Sequence, residues 1–277
     1  MHKTLIGYAC GRGAQKQGCK DGPESFRNSS ANKYKWLDIY NINDEPLNHQ
    51  TAISNYCRDL CKKSAQIINS NGFPVAIGGD HSMAIGTWSG VTTALNAEGN
   101  FGLIWFDAHM DSHTPKTSLS GAYHGMPVAT LMGYGDKELC SIGSDKAKIS
   151  PKHLCIIGAR SYESAEEELL NKLGVKVFYI DEVKKRGIEE VFSEAIAIAK
   201  KAEYFGVSID LDAFDPHVAP ATASLEKNGL LADDIFRPLE ICAKEKKFRA
   251  LEIAEYNPHM DKDGKTEKLI FDLIDKV

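Results

Sequence analysis

No run of apolar residues in this chain approaches the roughly 20 needed to span a bilayer, so a membrane protein is not expected. The N-terminus carries a short apolar piece ending at Cys10 and Gly11. It lacks the long apolar core of a signal peptide and reads as a first strand. Positive charge is also scarce: 33 Lys and Arg stand against 38 Asp and Glu, a net charge of −5. With no basic footprint, nucleic acid is not an expected partner. Seven cysteines, an odd number without a regular framework, exclude a disulfide scaffold and suit a reducing compartment, the cytoplasm. Cys57 and Cys61 are one helical turn apart, but no second cysteine pair or histidine lies close by in sequence, and they read as two thiols on an amphipathic helix. Internal repeats, low-complexity tracts and linkers are absent as well. The 277 residues therefore read as one unit, 1–277, with one large core.

What is present is an alternation. Apolar runs at 5–9, 36–40, 74–77, 101–106, 153–157, 175–179, 205–211 and 249–254 predict strands. Between them, apolar spacing predicts helices over 48–69, 82–96, 126–132, 163–173, 188–202, 232–244 and 265–274, and Pro23 stands at a favoured helix start. A glycine-rich loop at 11–22 carries Arg12, Lys16, Lys20 and Asp21, and the polar stretch 133–150 reads as a connection. Strands alternating with helices predict an α/β fold, a mainly parallel β-sheet with helices on both faces.

The stretch 101–127 organises the rest. Its strand runs into Asp107, His109 and Asp111, which in an extended chain point to one face, at i, i+2 and i+4. Two further strands end on polar groups: Gly78-Gly79-Asp80-His81, and Asp210-Leu211-Asp212. All three clusters sit at carboxyl ends of strands, where open α/β sheets place ligands. The set His81, Asp107, His109, Asp111, Asp210 and Asp212 exceeds what one zinc ion takes, and oxygen-rich donors with some imidazole suit harder ions such as manganese. Four carboxylates brought together would repel one another strongly. Two divalent ions would remove that cost, with some aspartates bridging, and would acidify a water for hydrolysis. Asp80 reads as a partner that could fix the His81 imidazole.

Five motifs, Gly78-Gly79-Asp80-His81-Ser82, Asp107 to Asp111, Ser120 to Gly125, Ser208 to Pro216 and Glu252 to Pro258, together resemble the arginase/agmatinase (ureohydrolase) family. The similarity runs from the first strand to the closing helix, and the spacing from Thr114 to Gly125 is most like that of arginases. The resemblance implies two Mn2+ per subunit, one held by His81 and Asp111, the other by His109 and Asp212, with Asp107 and Asp210 bridging. It implies hydrolysis of the guanidinium of L-arginine to L-ornithine and urea, and a homo-oligomer, trimer or hexamer. His124 would shuttle the proton, Glu255 would pair with the guanidinium, and Asp111 counts with them as catalytic.

Substrate-holding groups implied in the same way are His113, Ser118, Ser120, Glu163 and Ser224, and here the chain departs from the family. Arginases usually carry Asn at the place of His113 and Asp at that of Glu163. The loop 221–229 lacks the usual Gly-Thr-Pro turn and keeps only Gly229 of its later glycines. The same chemistry on agmatine or another guanidino compound, or a low-activity relative, is the alternative expectation. Two other classes rank lower: a single-metal deacetylase-type hydrolase, which leaves His81 and Asp111 without a task, and a non-enzymatic relative.

Overall fold

A computed structural model describes residues 2–14, 18–41 and 48–277. Lys16 of the expected 11–22 loop lies outside them. In chain order the elements are β1 (Lys3–Tyr8), α1 (Gly22–Ser30), β2 (Lys35–Tyr40), α2 (His49–Asn69), β3 (Phe73–Gly78), α3 (Met83–Ala94), β4 (Phe101–Phe106), α4 (Pro127–Leu131), α5 (Lys137–Cys140), β5 (Leu154–Ala159), α6 (Ser164–Leu173), β6 (Lys176–Tyr179), α7 (Ile180–Arg186), α8 (Ile188–Ala199), β7 (Tyr204–Asp210), α9 (Asp233–Cys242), β8 (Phe248–Ala254) and α10 (Lys265–Asp275).

Branched and aromatic residues dominate β3, β4 and β5, and every residue of these strands is buried, as a strand covered on both faces requires. The strands form one eight-stranded sheet in the order β2-β1-β3-β8-β7-β4-β5-β6, with every pairing parallel. Alternation along each strand divides the core. Val75, Ile77, Ile104 and Phe106 face Phe26 of α1, Phe192 of α8, Leu239 of α9 and Ile270 of α10. Leu103 and Trp105 face Trp88 of α3, Val128 of α4 and Leu170 of α6, while Ile6 and Ala76 face Ile53 and Leu60 of α2. Each buried Val, Leu, Ile or Phe side chain here contributes about 1.5–3 kcal/mol by leaving water.

Two helices depart from the sequence expectation. Within the connection expected at 133–150 lies α5, started by Asp136, whose carboxylate accepts the N–H groups of Glu138 and Leu139. The second, α7, follows β6 directly and buries only Ile180 and Val183, too narrow an apolar stripe to register as a period. Its charge order, Asp181 and Glu182 first and Lys184 to Arg186 last, matches the helix dipole and was the readable signal. Among the described residues no helix is long and apolar enough to cross a membrane. No cysteine is in a disulfide, and Cys57 and Cys61 lie buried on α2.

The central strands β3, β8, β7 and β4 are neighbours, and their register places the site. Ile77 pairs with Ile253, Ile253 with Ile209, and Ile209 with Phe106, one row across the sheet. The residues that follow this row stand side by side at the carboxyl edge of the sheet, Asp107 and Asp210 among them, with Asp210 still paired to Ala254.

Candidate metal centre and active site

Beyond that row the chain does not stay extended. Asp111 adopts a left-handed backbone, φ 47°, and Leu211–Ala213 forms a 3-10 turn. The extended i, i+2, i+4 geometry expected for Asp107, His109 and Asp111 is therefore replaced by a bend, which still brings the side chains inward. The bend is held by short polar contacts: Asp107 Oδ1 accepts the His109 N–H at 2.6 Å, and Asp210 Oδ1 accepts the Asp212 N–H at 2.9 Å.

Two donor groups result. His81, Asp107, Asp111 and Asp210 form the first; Asp107, His109 and Asp212 form the second. His81 Nδ1 lies 3.3 Å from Asp107 Oδ2, 3.1 Å from Asp111 Oδ2 and 2.9 Å from Asp210 Oδ2. His109 Nδ1 lies 3.5 Å from Asp107 Oδ1 and 3.1 Å from Asp212 Oδ2. Asp107 thus turns one oxygen to each imidazole.

The donor set fits divalent cations. His81 Nδ1 and Asp111 Oδ2 are buried and 3.1 Å apart, yet neither is aligned for a hydrogen bond. They point at a shared centre rather than at each other, as ligands of one ion do. Opposite Nδ1, His81 Nε2 lies 3.0 Å from Ser208 Oγ, and Ser208 donates to Glu252 Oε1 at 2.7 Å. With its hydroxyl proton directed at Glu252, Ser208 accepts a hydrogen bond from Nε2–H, and the Nδ1 lone pair is left for a cation. Trp105 stacks on the His81 ring and donates from Nε1 to Asp107 Oδ2 at 2.7 Å.

Burial without a cation distorts the titration of this cluster. Burial, then the charge of Asp107, pushes the Asp111 carboxyl up to about 7. Burial, then the neighbouring Asp212, raises Asp210 well above the usual carboxylate range as well. Asp107 is also opposed by burial, but contacts with His109 and His81 hold it below the usual carboxylate range. On His81, burial opposes the charge and is outweighed by Asp107, Asp111 and Asp210, so its pKa rises.

Above the clusters opens a cavity of about 350 Å³. His124 and Glu255 line it, as do His113, Ser118, Ser120, Glu163 and Ser224; His113, Ser118, Ser120 and His124 come from the one connection between β4 and α4, the others from three further segments. His81 and Asp107 lie beneath the floor, fully buried. Glu255 has a left-handed backbone, φ 66°, fixed by its N–H on Gly79 O at 2.8 Å. Its Oε1 accepts the His81 N–H at 3.0 Å and lies 3.2 Å from His124 Nδ1, while Oε2 is buried without a partner. Burial lowers the His124 pKa, but the hydrogen bond and charge of Glu255 outweigh it and push the pKa up to about 9.

Asp80 does not touch the His81 ring, contrary to expectation. Its carboxylate accepts the N–H of Gly13 at 3.0 Å and both the N–H and hydroxyl of Ser82. A Cβ on Gly13 would stand 2.3 Å from Asp80 Oδ1, so the glycine is required by that approach. Gly13 O in turn accepts the His124 N–H at 3.2 Å, tying the N-terminal loop to the cavity wall.

At the outer end, Ser118 Oγ and Ser120 Oγ hold the N–H groups of Gly121 and Ala122 at 3.0 and 3.2 Å. His113 Nε2 lies 3.5 Å from Glu163 Oε2 and 3.4 Å from Glu166 Oε2. Glu163 and Glu166 also form the reciprocal cap that starts α6. Sequence reasoning missed Ser208, Glu252, Trp105 and Glu166. A signal existed for two of them: Ser208 stands two residues before Asp210, on the same strand face, and Glu252 is a lone charge inside an apolar run.

Fold and donor set together define an α/β protein that gathers a pair of cation pockets at the carboxyl edge of a parallel sheet. The Arginase family model matches residues 2–277. The chain is 32% identical over 290 residues to the arginase of Brevibacillus brevis, covering 99% of this chain and 96% of that one. It is 32% identical to the arginase of Bacillus caldovelox, covering 95% and 93%. The crystal structure of arginase from Bacillus cereus superposes with a TM-score of 0.91 at 31% identity, over 99% of this chain and 97% of that chain. The chain belongs to the Arginase family.

Proposed function

We propose that this protein is a binuclear-manganese ureohydrolase, one domain over 1–277, that cleaves the guanidinium of L-arginine to L-ornithine and urea. The observation that carries the reading is the pair of donor groups sharing Asp107 beneath a cavity walled by His124 and Glu255. His81 and Asp111 would hold one ion and His109 and Asp212 the other. Asp107 would bridge them, and so would Asp210, which turns one oxygen to His81 and the other to the Asp212 N–H. Oxygen-rich donors with two imidazoles favour manganese over softer ions.

When bound, the ion pair supplies an acidified water as the nucleophile for the guanidinium carbon. The chain does the rest. Glu255 Oε2, buried and without a partner, accepts guanidinium N–H groups and orients the carbon over the donor clusters. His124, held by Glu255, gives a proton to the nitrogen that leaves as the C–N bond breaks, so that ornithine departs as an amine and urea remains. Ser118, Ser120, Ser224 and His113 would face the substrate carboxylate, and Glu163 the α-amino group.

We place the protein in the cytoplasm, where its unpaired cysteines are kept reduced, and expect a trimer or hexamer. The test is urea release from L-arginine and from agmatine after manganese loading. Release from arginine supports the reading. Far faster release from agmatine moves the substrate and leaves the chemistry, and none from any guanidino compound refutes both.

A further inference from the structure

The loop 221–229, where the chain departs from the family pattern, has no task in the reaction as drawn above beyond Ser224. It is held by Arg160. That guanidinium donates from Nη2 to the carbonyls of Asp212 at 2.6 Å and Glu226 at 2.9 Å, and from Nε to that of Lys227 at 3.1 Å. One side chain therefore fastens the loop to the strand end that carries Asp212. Gly229, the one glycine kept, permits this approach: a Cβ there would stand 2.4 Å from the carbonyl carbon of Phe214 and 2.6 Å from Arg160 Nη2.

Held in this way, the loop aims a carboxylate at the cluster. Glu226 Oε1 lies 3.8 Å from His109 Nε2, on the side of the ring opposite Nδ1, which faces Asp212 and Asp107. Among the described residues no other carboxylate is within ion-pairing reach of that nitrogen. The gap exceeds a direct hydrogen bond by less than an ångström, and the Glu226 side chain is a third exposed. The contrast with His81 is informative. His81 Nε2 is fixed by Ser208 in the dry interior, whereas His109 sits at the rim, where water competes for Nε2.

We infer that Glu226 is a positioning residue for His109: it takes the Nε2 proton and so turns the Nδ1 lone pair toward the second cation. This rests on the two-cation reading above. Imidazoles that bind metals commonly give their outer N–H to a carboxylate, and removing that partner weakens metal binding about 10–100-fold. The unusual loop then has a task, supplying the acceptor that the strands themselves lack at this ring.

The experiment uses the full chain loaded with manganese, as wild type, Glu226→Gln, Glu226→Ala and, as a control in the same loop, Lys227→Ala. Metal content after removal of free ion, manganese titration calorimetry and the Mn(II) paramagnetic resonance spectrum are read together. Expected are two spin-coupled ions in wild type and Lys227→Ala. Both Glu226 variants keep the first ion and bind the second about 10–100-fold more weakly, with the spectrum shifting toward isolated Mn(II). The nearly isosteric Gln variant carries the test should the Ala variant fold poorly. Equal affinity for the second ion in wild type and Glu226→Gln overturns the inference and leaves the two-cation reading standing. A wild type that never holds two ions overturns both.

Discussion

A single carboxylate oxygen, Glu255 Oε1, accepts the backbone N–H of His81 at 3.0 Å and lies 3.2 Å from Nδ1 of His124. The floor and the wall of the cavity are thereby joined through one atom, and the charge of Glu255 sets the proton affinity of His124.

Glu255→Gln should bring the His124 pKa in the metal-free protein from about 9 down toward the usual value of about 6.5. Histidine NMR titration reads it directly. Because the folded pKa is raised, this pair stabilises the fold fully below about pH 6.5, and its contribution fades as pH rises through about 9. Urea unfolding of the metal-free wild type and variant should differ at pH 6 and converge by about pH 10. A His124 pKa that does not move in the variant removes the coupling.

The raised pKa of Asp111 ties metal binding to proton release. Below about pH 7 the metal-free site holds a proton on this carboxyl that a cation must displace. Apparent manganese affinity should therefore fall by about tenfold per pH unit below that point for each proton displaced. The same shift works against the empty fold: stability without metal should decline as pH rises from about 4 to about 7, and manganese should restore it. Calorimetry in two buffers of different ionisation heat counts the protons, and a count of zero at pH 6 contradicts the prediction.

Ser208→Ala breaks the buried line from His81 to Glu252 and leaves Glu252 with Trp88 and Thr87. Stability should drop by about 1–3 kcal/mol and affinity for the first ion by about 10–100-fold. Chemical denaturation and manganese titration check the two effects separately. A stable variant with unchanged affinity would show that the hydroxyl does not orient His81.

Gly13→Ala should lower kcat with little change in metal content. The added methyl group meets Asp80 and displaces the loop whose carbonyl holds the His124 N–H. Steady-state kinetics with metal analysis on the same sample decides it, since metal loss together with kcat loss would point to general misfolding instead.

The donor clusters were legible because their residues sit in short contiguous motifs at strand ends, where an apolar run ends abruptly on Asp or His. Asp107, His109 and Asp111 converge even though the extended geometry expected of them is absent, because the bend that replaces it also turns inward. Strands were read from apolar runs. What could not be read depends on which strands become neighbours. Ser208 meets Glu252 only because β7 lies against β8, and Arg160 reaches residues 226 and 227 only through tertiary folding. The task given to Asp80 failed for a related reason: adjacency in sequence to His81 said nothing about the Gly13 amide that claims its carboxylate.

The last strand in the chain, β8, is not at an edge but between β3 and β7. Ribosomal order and spatial order therefore disagree. Until β8 is made, the segments bearing His81 and those bearing Asp107 and Asp210 have no strand to join them. Closure of the sheet is a late, long-range event of the kind that slows folding, and only with it does His81 join Asp107, Asp111 and Asp210, whereas Asp107, His109 and Asp212 come from strands that already pair.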